Sequence, residues 1–364
     1  MLIGIDANEA NIKQRVGSNQ FAFQVLWQLH QQDKQNTYLI YLQTRPLKDL
    51  PPVNQRWQYR ILQPGFFWTQ WRLPLSLYFN QPRPDIFLTL GHYAPRFSPI
   101  PTLVCIMDLA YLKFPQTYLK KDLFKLKHWT KNSVQKASHI FTISHHSKKD
   151  IQKYYQIPAQ KITVTYPAID HQVKFSPSKI KGNYLLYLGT LQPRKNLDNL
   201  IKAFSQLKKE EYKKGEYKLV IAGKKGWLYQ SLFNQVKKLK LEKKIIFTDF
   251  VPKTQLPGLI KAAKALILPS LYEGFGIPVA QAMALGTPVV VSQNSSLPEI
   301  VGQAGIYIKA PFGPQEIEKG IIRVLSLTKE QKEQLINQAE QRARQFTWHK
   351  TGQKILEVIN ELTL

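Results

Sequence analysis

The stretch LPSLYEGFGIPVAQAMALGTPVVVS, residues 268–292, reads as strand, glycine-rich turn, helix and strand in immediate succession. A buried run ends near Leu268, and Glu273, Gly274, Phe275 and Gly276 form the turn. Ile277 and Pro278 open the helix, since proline suits a first turn where its missing N–H has no partner to lose. Gly286 is a natural stop. A second apolar run, residues 288–291, follows at once. Short Val-rich strands alternating with helices belong to a parallel sheet covered on both faces. The glycines let backbone N–H groups come close to an anion, and those groups with the helix dipole can hold a diphosphate. Glu273, a carboxylate beside such a site, suits hydrogen bonds from sugar hydroxyls.

The same rhythm extends outward. Apolar runs at 184–188, 219–222, 245–247, 265–268, 288–291 and 306–308 predict one set of strands. Those at 2–5, 38–42, 58–62, 85–89, 102–107 and 140–143 predict another, with clear helical patterns at 21–29 and 119–137. Two sets imply an α/β protein of two doubly wound, Rossmann-like parallel-sheet domains, residues 1–172 and 173–345, facing each other across a cleft. The polar stretch HQVKFSPSKIKGN, residues 171–183, separates them. Residues 329–364 read as two helices parted near 346–348, the final segment 346–364 standing apart from the second domain. Ligands in such sheets bind beyond the carboxyl ends of the strands. One of these loops, in YLLYLGTLQPRKNLDNLIKAF (184–204), carries Arg194 and Lys195 where a helix is predicted to open at Pro193. The helix dipole disfavours cations there unless they meet an anion. Arg grips phosphate with a forked pair of bonds, and Lys supplies a point charge.

Composition narrows the classes. With 43% hydrophobic and 21% charged residues the chain is an ordinary globular protein, and its single cysteine excludes an internal disulfide. Cys105 lies in an apolar run and reads as packing. The first strand starts at once, without a basic segment followed by an apolar run, and no run reaches the length that spans a bilayer, so a cytoplasmic protein is expected. The net charge of +27 favours anionic partners: nucleic acid, acidic lipid or phosphorylated small molecules. It is spread through both halves, and no nucleic-acid recognition motif accompanies it. Lys120, Lys121, Lys125, Lys127 and Lys131, with Phe124 and Trp129, fall on the helix 119–137. Such a helix either lies on the inner face of an anionic membrane or is a solvated face with a packed apolar side. No two aspartates are two apart, and His92, His139, His145 and His146 read as polar loop histidines without ligand spacing, so no metal is expected.

Both loops resemble the family 4 glycosyltransferases (glycosyl transferases group 1), which have the GT-B fold and retain anomeric configuration. Their Glu, seven residues, Glu motif begins at Glu273, and their Arg-Lys pair corresponds to Arg194 and Lys195 within GTLQPRKN. LVIAGKKGW (219–227), IIFTDFV (245–251), SSLPEIVGQAGIYI (295–308), IFTISHHSKKDI (140–151), VTYPAID (164–170) and FTWHKTGQKILEV (346–358) are similar in order along the chain. The last resembles the helix that returns to the N-terminal domain. The resemblance implies a nucleotide diphosphate sugar, GDP- or UDP-linked, as substrate with no other cofactor. Mannose from a GDP donor fits the wording of both loops best, and the acceptor would be a glycan or lipid-linked. Arg194 and Lys195 would neutralise the leaving diphosphate, Glu273 would contact the donor sugar, and the backbone around Gly274, Phe275, Gly276 and Ile277 would hold diphosphate or sugar. Val251 would lie near the nucleobase, and Gly17 would let the N-terminal domain approach the phosphates. His92 and Asp108 fall on the acceptor side. There are two departures. The second glutamate is Gln281, which loses a charge-assisted bond to the ribose, about 1 kcal/mol. Met107 stands where a histidine often precedes the aspartate. They leave room for an alternative, a catalytically weakened nucleotide-sugar-binding partner subunit.

Overall fold

The structure, a computed structural model, describes residues 1–169, 176–207, 216–310 and 312–362. The expected linker 171–183 therefore lies partly outside the described residues. The chain divides into two units, one of Met1–Pro167 with Thr347–Leu364 and one of Ala168–Phe346. Phe346 groups with the second unit because its ring meets Phe275 edge-on at 5.3 Å.

The first unit holds seven strands: β1 (Leu2–Asp6), β2 (Thr37–Leu42), β3 (Trp57–Ile61), β4 (Ile86–Thr89), β5 (Thr102–Ile106), β6 (His139–Thr142) and β7 (Ile162–Val164). Helices α1 (Ser18–Gln32), α2 (Leu73–Phe79), α3 (Ala110–Lys113), α4 (Lys120–Lys136) and α5 (His145–Tyr155) connect them. The order β3-β2-β1-β4-β5-β6-β7 is parallel throughout. Strands buried on both faces need apolar side chains on both, and Ile3, Ile5, Leu88, Val104 and Cys105 supply them. Burial pushes the Cys105 thiol well up, so it stays an inert packing group. Right-handed crossovers put α2, α4 and α5 on one face and α1 on the other.

The second unit holds β8 (Asn183–Leu188), β9 (Tyr217–Ala222), β10 (Ile245–Asp249), β11 (Ala265–Leu268), β12 (Val289–Ser292) and β13 (Ile306–Ile308). Its helices are α6 (Leu197–Gln206), α7 (Gln230–Lys238), α8 (Leu256–Lys261), α9 (Ile277–Ala284), α10 (Leu297–Val301), α11 (Pro314–Leu325) and α12 (Lys329–Ala343). The order β10-β9-β8-β11-β12-β13 is again parallel. After it, α13 (Trp348–Glu361) packs on α1 of the first unit, turning Trp348, Ile355 and Ile359 inward. Gly352 permits this approach, since a Cβ there would stand 2.6 Å from Cβ of Gln28. Among the described residues no helix is long and apolar enough to cross a membrane.

Candidate active site

The strand order of each sheet reverses direction once, between β8 and β11 in the second unit and between β1 and β4 in the first. Loops diverge at such a point and leave a crevice beyond the strand ends.

In the second unit the loops after β8 and β11 fill it. Pro193–Lys195 is a separate 3-10 turn, closed by Asn196 in the left-handed region at φ 61°, and α6 starts only at Leu197. This corrects the expectation that Arg194 and Lys195 belong to the opening turn of a helix. Asn196 ends that turn, and its amide is drawn sideways to the carbonyls of Pro269 (3.0 Å) and Phe312 (2.9 Å). The carbonyl of Arg194 accepts from Leu271 N–H at 2.9 Å, and its guanidinium donates to the carbonyl of Tyr272. Residues 78 apart in sequence are thereby joined. Lys195 Nζ reaches Glu273 Oε1 at 2.6 Å, and Arg194 Nη1 lies 3.9 Å from Oε2. Ser270 Oγ also donates to Oε1, at 2.6 Å. Ser295 Oγ accepts from Glu273 N–H, and Ser296 Oγ donates to its carbonyl, both at 2.9 Å.

Burial alone would push the Glu273 carboxyl up, but Lys195, Arg194 and the hydrogen bonds from Lys195 and Ser270 together hold it below its ordinary value. It is an ionised carboxylate in a cationic pocket. Gly276, at φ 98°, caps α9 in a conformation that suits glycine, and Leu297 closes in where a Cβ would be. Val279 and Ala280 N–H donate back to the Gly276 carbonyl at 2.9 and 3.1 Å and Pro278 has no N–H, while the aligned peptide dipoles point partial positive charge out of the N-terminus of α9. The structure thus brings Arg194, Lys195, Glu273, Gly274, Phe275, Gly276 and Ile277 to one crevice. Gln281 sits half-buried on α9, and Val251 half-buried after β10. Lys225, in the loop after β9, pairs at 3.4 Å with Asp249 at the end of β10, and Lys224 stands over Phe250.

The crevice of the first unit has a different chemistry. Asp6 ends β1, and its Oδ1 accepts from Asn8 N–H (3.1 Å) and Asn8 Nδ2 (2.9 Å). Glu9 Oε2 accepts from Asn19 Nδ2 at 2.5 Å. Gly91, after β4, leaves 3.4 Å between a notional Cβ and Cγ of Glu9. Burial raises Asp6 to about 7 against the pull of Asn8, and burial raises Glu9 too. His92 follows, its Nδ1 enclosed with no hydrogen bond and its basicity lowered by burial despite the charge of Asp108. Asp108 is half-buried after β5 and accepts from Ala110 N–H at 2.9 Å. Gly17, exposed at φ 52°, precedes α1 with nothing within 4 Å of a notional Cβ.

Sequence reading missed Asp6, Glu9, Ser270, Ser295 and Asn196. A carboxylate at the end of the first strand followed by another three residues on was the available signal for Asp6 and Glu9. The other histidines are not loop residues. His139 is buried in β6 against Thr163 Oγ1 (2.9 Å), while His145 and His146 open α5, His146 lying 3.4 Å from Asp150. Among the described residues no group of three or more His, Cys, Asp or Glu could hold a metal ion.

Comparison with known proteins identifies the family and the fold. Residues 17–173 match the model for Glycosyltransferase Family 4, and residues 169–342 that for Glycosyl transferases group 1. The chain is 30% identical over 254 residues to the O-antigen chain mannosyltransferase B of Escherichia coli, across 66% of this chain and 65% of that protein, less than two thirds of its length. In structure it is similar to sucrose-phosphate synthase from Thermosynechococcus elongatus, with a TM-score of 0.79 and 16% identity over 100% of this chain and 99% of that one. It is also similar to an Anabaena protein solved in complex with UDP and glucose, with a TM-score of 0.75 and 18% identity over 99% of both chains. Two parallel-sheet units, two family models in tandem and these neighbours make the fold GT-B, and the chain belongs to the group 1 glycosyltransferases of the family 4 type.

Proposed function

We propose that this chain is a retaining hexosyltransferase that moves a hexose, mannose in the first instance, from a nucleotide diphosphate donor to a glycan or lipid-linked acceptor. The observation that carries the reading is the crevice between β8 and β11, where Lys195 and Arg194 are held by Glu273 beside the N-terminus of α9. A departing nucleoside diphosphate gains negative charge, and fixed cations and helix-end N–H groups aimed at it stabilise the transition state without reorganising. These cations do the work that a metal ion does elsewhere. Glu273 holds the ammonium in place and presents a carboxylate to sugar hydroxyls, while Val251 and Gln281 take the nucleoside side. A mannosyltransferase relative supports mannose; the complex of the Anabaena neighbour with UDP and glucose supports a nucleoside diphosphate donor.

The acceptor falls to the crevice of the first unit, where Asp6, Glu9, His92 and Asp108 offer hydrogen bonds with little cationic charge, a setting for neutral hydroxyls. Peripheral attachment to the inner face of a membrane through the lysines of α4 fits a lipid-linked acceptor.

Thermal shift against GDP, UDP and their sugars tests the donor, because a ligand raises the melting point by mass action. A nucleoside diphosphate should raise it in the wild type and not in Lys195→Ala. No shift with any of them would overturn the reading. Gln281 and Met107 favour the second reading, a weakened partner subunit, and transfer or donor hydrolysis by the purified chain would dispose of it.

A further inference from the structure

The chain between β4 and β5, residues 90–101, contains no helix. On a sheet whose neighbouring connections β3 to β4 and β5 to β6 each lay a helix on the same face, this leaves a helix-sized gap between α2 and α4. The gap is a groove of about 780 Å³, walled by Phe67, Trp71 and Leu75 on one side, Phe124 and Trp129 on the other, with Phe97 at its end. That is the size of a pocket for a lipid-like molecule.

Its walls are built against the usual pattern of a surface helix. α2 turns Leu73 and Leu77 into the core with Trp68, Leu62 and Phe87. Its outer side should then be polar. Instead, Leu75, Tyr78 and Phe79 face outward, while the polar Ser76 is buried. The preceding π-helical turn, Trp68–Arg72, leaves Trp71 68% exposed. On α4, Leu123 and Leu126 pack inward while Phe124 is 60% exposed. Phe66 and Phe79 stand 78% and 77% exposed nearby. A contiguous apolar patch of this kind marks a surface that meets something else.

Charge says what it meets. Among the described residues no Asp or Glu lines the groove, and Arg96 is the cation in its lining. Arg96 and Lys136 both stand over the ring of Phe97, at 5.7 and 5.2 Å, and Lys125 stands over Trp129 at 5.6 Å. Lys121, Lys127 and Lys131 are exposed along the same helix. Aromatic side chains beside cations form the composition of a membrane interface, where rings sit at the headgroup level and cations meet lipid phosphate.

We propose that the groove between α2 and α4 is where this protein seats itself on an anionic bilayer, an acyl chain entering between Trp71 and Phe124 while Arg96, Lys125 and Lys136 meet phosphates at its rim. The proposal deepens the reading of a lipid-linked acceptor, and its residues belong to the first unit, whereas Arg194, Lys195 and Glu273 belong to the second.

The test is sedimentation of the full chain with sucrose-loaded vesicles of phosphatidylcholine alone, and of equal parts phosphatidylcholine and phosphatidylglycerol. The wild type should sediment with the second and stay in solution with the first. The Trp71→Ser/Phe124→Ser pair should bind at least about tenfold more weakly, as should Lys125→Gln/Lys136→Gln, about 1.4 kcal/mol in each case. All four positions are at the surface, so melting temperature and the nucleoside diphosphate shift should remain those of the wild type. Wild-type binding to neutral vesicles as strong as to anionic ones would overturn the proposal, and so would aromatic variants that sediment like the wild type. A change in oligomeric state in the aromatic pair, with vesicle binding intact, would assign the groove to a second copy instead. Failure of the nucleotide shift in the wild type would count against the transferase reading alone.

Discussion

The two sheets turn the same structural opportunity to opposite electrostatic ends. Each has one reversal of strand order and one crevice beyond it. Between β8 and β11 the crevice holds a carboxylate kept below its usual range by an ammonium and a guanidinium. Between β1 and β4 it holds carboxylates pushed up by burial and an imidazole pushed down, with Asp6 at about 7. A crevice of fixed positive charge suits a pyrophosphate. A crevice whose groups sit close to neutral suits sugar hydroxyls, which need hydrogen-bond partners more than countercharge. On the proposed reading, a division of labour between donor and acceptor would rest on the charge state of a few side chains rather than on the sheets that carry them.

The most damaging change to this contrast should be Glu273→Gln. It strands Lys195 and Arg194, each with 11% of its side chain exposed, without their carboxylate. Loss of one partner from a buried pair costs about 3–5 kcal/mol. Because the folded carboxyl is held below 4.5, its contribution is present above that pH and fades as pH falls through the folded value. The gap in denaturation free energy between wild type and variant should therefore be widest near neutrality and close in acid. A gap independent of pH would break the comparison on the donor side.

Lys195→Ala comes next. Turnover with a nucleotide sugar should fall by about 10²–10³, the usual loss when one fixed donor to a developing anion is removed. Steady-state kinetics would show it in kcat; an effect on acceptor KM alone would put Lys195 in the wrong half of the contrast.

Asp6→Asn sharpens the other side, with the opposite sign. The wild-type group is neutral in the folded state up to about 7, whereas the unfolded chain ionises near 3.8. Wild-type stability from this group is complete in acid and lost as pH rises through about 7. The variant, whose amide oxygen can still accept from Asn8, should match the wild type near the unfolded value and melt several degrees higher above neutrality, at about 2–4 °C per kcal/mol. Equal melting points in mild alkali would refute the buried-acid description.

The smallest effect expected is that of Gln281→Glu. If this half-buried position on α9 meets the ribose, a charge-assisted bond restored there should tighten donor binding by about 1 kcal/mol, about fivefold by calorimetry. No gain would place the nucleoside elsewhere.

The sheets were legible because buried parallel strands must be apolar on both faces. Ala265–Leu268 and Ile306–Ile308 stand where the runs of Leu, Ile and Tyr put them. β7 escaped notice because three residues, Ile162–Val164, make too short a run to signal anything. α2 escaped because its outward face is as apolar as its inward one, so no helical alternation marks it. At the site, Glu273 with Arg194 and Lys195 was readable from residue type and loop position. Asn196 was not, since nothing in a lone asparagine shows that a loop 73 residues away will be tied to it, nor was Ser270, since a lone serine three residues before Glu273 does not show that its hydroxyl will turn to that carboxylate. Asp6 and Glu9 resemble any solvent-facing acid until the sheet encloses them.

The placement of α13 has a consequence for biogenesis. Residues 168–346 form a unit inserted within another, whose α1 is covered on one flank by α13, which follows residue 346. During synthesis the second unit has all of its own chain while α1 still lacks its cover. Phe21, which meets Trp348 at 6.1 Å, waits on translation of everything in between. A nascent chain stalled before α13 would therefore expose the flank of α1 to chaperones, however well the inserted unit had folded.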